Sequence, residues 1–149
     1  MGALFGYYAA ADDGDAARAV VREDGRPAGT GYDALVVKGV DPVVDLLPVE
    51  ALVTGRTAGD VEADPRHGHM VGMAGDGEVV SVSLTDSLRD SLARFDRNQL
   101  ADVAREWATS GVFGPEADTS GLTGFLMDLA ALAEKASVRR QRLYCWICL

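Results

Sequence analysis

At 149 residues, with 48% apolar and 25% charged side chains, the chain has the size and make-up of one globular domain that can bury a core. Its net charge is −9 and its isoelectric point about 4.5, so the clustered cations that bind nucleic-acid phosphates or an anionic membrane are missing. A basic protein or a cation is the partner such a surface favours.

The opening "MGALFGYYAAADDGD" has no positive residue before its apolar run, so it does not read as a secretory signal. Gly2 is not followed by the Ser or Thr that myristoylation needs, since position 6 is Gly. No apolar run approaches the roughly 20 residues that span a bilayer. The expectation is a cytoplasmic protein. With two Lys, one Ile and one Asn against many Ala, Gly, Val, Asp and Arg, the codon bias suggests a bacterial, high-GC origin.

Residues 3–10, "ALFGYYAA", read as a first strand, with Tyr7 and Tyr8 as aromatic anchors. A short helix over 12–24 follows from its leading aspartates and the stripe Ala17, Val20, Val21. Residues 25–33 are Gly- and Pro-rich and predict a loop, and 34–40 a second strand. Asp41 then caps a helix over 42–55, with Pro42 in its first position and Gly55 as its stop. That helix is apolar on nearly all sides and predicts deep burial, with Pro48 kinking or dividing it.

Residues 56–77 are the least regular stretch. Here "RHGHM" carries the two histidines, His67 and His69, near Asp60, Glu62 and Asp64. A His-x-His pair on a strand turns both rings to one side, so His67 and His69 with Asp64 could ligate a metal. A surface loop that happens to hold two histidines is the simpler reading, and no cofactor is implied. Residues 78–84 read as a third strand. Thr85 caps a helix with Leu88, Leu92 and Phe95 on one face. Asp96 with Gln99 has capping-box spacing, ahead of Leu100, Val103, Ala104 and Trp107 at i, i+3, i+4, i+7. A loop over 110–121 precedes the longest helix, which buries Leu122, Phe125, Leu126, Leu129, Leu132, Ala133 and Ala136. Its end is the one dense basic stretch, Arg139, Arg140 and Arg142, where cations complement the helix dipole.

The chain closes on "RLYCWICL". Alternation along a strand sends Leu143, Cys145, Ile147 and Leu149 to one face and Tyr144, Trp146 and Cys148 to the other. Both faces are apolar, which predicts a central strand covered on both sides, with Tyr144, Cys145, Trp146, Ile147 and Cys148 in the core. A redox Cys-x-x-Cys needs a helix N-terminus after its first sulfur, and a zinc site needs two further ligands. Neither is present, so Cys145 and Cys148 read as core thiols.

The whole predicts one α+β (mixed α/β) domain over 1–149. A small sheet of about four strands includes both chain termini, and about five helices pack on it. No Gly-x-Ser-x-Gly, P-loop or dinucleotide fingerprint occurs, and no catalytic residue is indicated. The order of features resembles the YfbM-like family of uncharacterised bacterial proteins: "MGALFGYYAA", then "VDPVVDLLPVEALVTG", "SLTDSLRDSL" and the long helix into "RLYCWICL". The resemblance implies a cytoplasmic single-domain α+β fold and carries no activity or functional residue with it. Two functions remain: an acidic protein-interaction module, for example one giving immunity to or masking a basic partner, or a small-molecule or metal-binding protein, enzymatic or not, using the 56–77 loop.

Overall fold

The structure is a computed structural model and describes residues 3–20, 32–114 and 117–148. In chain order the elements are β1 (Leu4–Ala10), α1 (Asp13–Val20), β2 (Ala34–Lys38), α2 (Leu47–Thr54), α3 (Ala58–Glu62), β3 (Met70–Ala74), β4 (Val79–Ser83), α4 (Asp86–Arg94), α5 (Arg97–Ala108), α6 (Thr119–Val138) and β5 (Arg142–Cys148). The fold is α+β. Among the described residues five strands form one antiparallel sheet in the order β2-β1-β5-β4-β3, one strand more than the sequence suggested.

The terminal strand sits in the middle of that sheet, as its two apolar faces predicted. β5 pairs with β1 through Gly6–Trp146, Tyr7–Cys145 and Tyr8–Tyr144, and with β4 through Ser81–Trp146 and Val82–Cys145. Phe5, Tyr7, Ala9, Val82, Leu143 and Cys145 face the main core, built with α2, α4, α5 and α6. Tyr8, Ala10, Tyr144 and Trp146 face the other way, where α1 covers them with Ala16, Ala19 and Val20. Tyr144, Cys145 and Trp146 are buried, but Ile147 and Cys148 are only half-buried. These two occupy the last rungs of the sheet, where Leu4, Val79 and Val80 are half-buried too.

Capping behaves as the sequence requires. Thr85 accepts from the Leu88 N–H at 3.1 Å, and Asp96 with Gln99 closes a full capping box. Leu100, Val103, Ala104 and Trp107 are buried, as is the whole predicted stripe of α6. Tyr7 and Trp107 are core anchors whose polar tips donate to the Val40 and Asp45 carbonyls at 2.6 and 2.8 Å.

The predicted helix 42–55 is divided at Pro48, as expected, because proline belongs in the first turn of a helix and not in its middle. Asp41 Oδ1 accepts from the Val43 and Val44 N–H groups, and a single turn precedes α2. Val44 and Leu52 are exposed, so the segment is not buried all round. Residues 56–77 are not a loop but α3, a turn and the edge strand β3. The first helix is described over Asp13–Val20; the rest of its predicted span, 21–24, lies outside the described residues, as does most of the 25–33 loop.

Candidate functional site

The residues singled out for metal do not come together. His69 is exposed just before β3, and His67 is half-buried in the preceding turn. Asp64 holds that turn: its Oδ1 accepts from the Arg66 N–H at 2.9 Å and its Oδ2 from Arg56 Nη1 at 3.1 Å. Burial works to raise the Asp64 carboxyl, but the Arg66 backbone and Arg56 side-chain hydrogen bonds outweigh it and hold it below its ordinary 3.8. Among the described residues, no three His, Cys, Asp or Glu side chains are placed to share a metal ion.

Both cysteines are free thiols. Cys145 lies in the main core and Cys148 packs at the margin of the α1 face. Burial pushes the Cys145 thiol well above its ordinary value, the reverse of what a nucleophilic cysteine needs.

Arg56, Asp64 and Arg66 are tied to the rest of the fold instead. Arg66 donates to Asp13 Oδ1 at 3.1 Å and Oδ2 at 3.4 Å, and its guanidinium lies 5.7 Å from the Tyr144 ring centroid. The Tyr144 hydroxyl donates to the same Asp13 oxygen at 2.8 Å, and Ser83 Oγ donates to the Arg66 carbonyl. The turn is thereby fixed to α1, β4 and β5. Deeper in, Glu50 is 3% exposed and accepts from Thr85 Oγ1 at 2.7 Å. Burial raises its carboxyl, only partly offset by the Thr85 bond and by the nearby His67 and Arg56. Sequence reasoning missed Glu50, although a lone acid on the face of Leu46, Val49 and Val53 was a signal for a buried carboxylate. It is a filled, structural cluster.

Among the described residues β2 and β3 are the two edges of the sheet, and β3 is paired with β4 alone, so no described strand covers its other side. Met70 and Met73 on this strand are 54% and 50% exposed. The chain enters β3 from α3, which carries exposed Asp60 and Glu62, and leaves it through the turn carrying exposed Asp76 and Glu78. Strand addition uses edge backbone of this kind beside exposed, unbranched apolar side chains. Among the described residues, no helix is long and apolar enough to cross a membrane. No protein-family model matches this chain, and neither a curated protein nor a solved structure shows significant similarity to it.

Proposed function

We propose that this is an acidic protein-interaction module of the bacterial cytoplasm that binds a basic partner along the β3 edge. The observation that carries the reading is the pair of exposed methionines on an open edge strand, with Asp60 and Glu62 before it and Asp76 and Glu78 after it. The occupant is an extended segment rich in Lys or Arg, which adds main-chain hydrogen bonds to β3 while its cations meet the acids. Masking of such a segment, including immunity to a basic toxin, is the function this chemistry suits. The likeness to the YfbM-like family adds a fold expectation to the proposal and no activity. A small-molecule or metal role for 56–77 is less favoured, because Asp64 and Arg66 are committed to internal bonds.

The test is a partner captured on the wild-type protein but not on a Met70→Lys, Met73→Lys double variant. It should be basic, and its association with purified protein should slow about tenfold as salt rises past about 0.15 M, where screening acts over roughly 8 Å. Reversing Asp60, Glu62, Asp76 and Glu78 should slow it similarly. An acidic partner, a salt-indifferent rate, or no protein distinguishing wild type from variant would count against the proposal.

A further inference from the structure

The basic stretch that closes α6 does not behave as three equivalent cations. Arg139 reaches Asp33 at 2.8 Å, whereas Arg140 and Arg142 line a separate cavity of about 280 Å³ with Ala11, Arg89, Asp90 and Ser137. Three of the chain's twelve arginines thus meet at one hollow of a protein whose net charge is −9. The hollow shares no residue with the β3 edge.

The nearby carboxylates do not neutralise them. Arg89 binds Asp90 at 2.9 Å and the Gln141 carbonyl at 3.0 Å, and approaches Asp86 at 3.5 Å. Arg142 reaches Asp86 only at 3.5 Å, beyond good hydrogen-bonding range, and Arg66 Nε is 3.9 Å from the same carboxylate. Asp86 Oδ1 and Arg66 Nε are both buried without a hydrogen-bond partner among the described residues. Arg140 has no ion-pair partner there at all. With Asp13, which pairs with Arg66 and also faces Arg142, the four arginines 66, 89, 140 and 142 meet three carboxylates, Asp13, Asp86 and Asp90, a surplus of one positive charge.

Arg140 is also in a conformation that L-residues avoid, with φ 57°. It is the left-handed residue of a Schellman turn: its N–H bonds the Ser137 carbonyl at 3.3 Å and the Gln141 N–H bonds that of Ala136 at 2.7 Å. Glycine is the ordinary occupant, because it makes the same two bonds without the Cβ strain. Complementing the helix dipole accounts for cations near this end, but not for a side chain at the one position where glycine is favoured. A guanidinium has a planar fork of donors suited to an oxyanion.

We propose that this cavity is an oxyanion site, in which Arg89, Arg140 and Arg142 hold a phosphate group, either free or borne by a small molecule. The volume suits a phosphate with a short organic remainder. The test is titration of the full chain, by calorimetry and by amide shifts around Ala11 and Ser137, with inorganic phosphate, with a three-carbon phosphomonoester, and with chloride at matched ionic strength. Saturable phosphate binding that chloride does not mimic is expected, and the tighter of the two phosphate ligands names the source. Arg140→Ala and Arg142→Gln should each weaken it about tenfold, the cost of one charge-assisted hydrogen-bonding partner. Arg140→Gly should weaken it equally while raising the melting temperature of the ligand-free protein, which keeps the test open if the other variants fold poorly. Phosphate acting no differently from chloride would overturn the proposal, as would Arg140→Gly binding phosphate like wild type.

Discussion

Gly6 lies in the interior of a central strand, where glycine ordinarily weakens the sheet. The reason for it is across the ladder. Trp146 lays its indole over Gly6, so that any Cβ there would overlap Cε2, Nε1 and Cζ2 of the ring. Neither β1 nor β5 can shift to make room, since each is paired on both sides. Gly6→Ala should therefore destabilise by about 3 kcal/mol, the upper range for overpacking in a well-packed core. The cost should fall when Trp146 is first shortened to Leu, giving a coupling of at least about 1 kcal/mol in a double-mutant cycle read by urea unfolding. Strictly additive effects would show that the indole is not what excludes a side chain at Gly6.

Among the elements, β5 has the largest consequence for folding. It joins the β1–β2 pair to the β4–β3 pair, so without it the sheet is two separate strand pairs. Deleting residues 143–149 removes the fully buried Leu143, Tyr144 and Cys145 and the nearly buried Trp146. Such side chains are worth roughly 1.5–3 kcal/mol each, comparable in sum to a domain's stability. The truncated chain should show no cooperative melt by circular dichroism, and a soluble, cooperatively melting truncation would contradict this placement. In the intact protein a thiol reagent should modify Cys148 ahead of Cys145, since only Cys145 is fully enclosed. This strand was legible because an unbroken apolar run with alternating faces has few other ways to be satisfied. α5 and α6 were legible for a similar reason, with caps and periodicity agreeing. β3 was not: "MVGMA" has one β-branched residue, an internal glycine and exposed methionines, so its strand character comes from pairing with β4. α3 is one short turn-and-a-half held by the Thr57 cap, too brief to show a period. The half-buried cluster joining Asp13, Arg66 and Tyr144 links residues up to 131 positions apart and leaves no local pattern.

At the scale of the whole molecule, four of the 23 acids couple stability to pH, in two opposite senses. Asp13, Asp15 and Asp64 have internal partners, and their carboxyls sit below the ordinary 3.8. For Asp13, burial opposes the lowering, but hydrogen bonds from Arg66 and Tyr144 outweigh it; for Asp15 the Ala11 N–H at 3.0 Å contributes most. These three bind protons more weakly folded than unfolded, so their stabilisation is present above pH 3.8 and is lost as pH falls through the folded values. Glu50 acts in the opposite sense. Burial makes the folded chain hold its proton more tightly, so its favourable contribution is present below pH 4.5 and is lost as pH rises through the folded value. Burial likewise raises Cys145, Tyr7, Tyr8 and Tyr144, which limits stability above about pH 9 to 10, where these groups ionise in the unfolded chain. Self-repulsion at a net charge of −9 also grows from the mildly acidic range towards neutral. Urea unfolding across pH 3 to 10 should therefore give a maximum on the mildly acidic side, with a decline towards neutral. Glu50→Gln keeps an acceptor for Thr85 and removes the charge, so it should be more stable than wild type at pH 7 and lose that advantage below pH 4.5. A variant no more stable at neutral pH would show that the buried carboxylate is already compensated by His67 and Arg56. A gain unchanged at pH 4 would assign the effect to packing and not to charge.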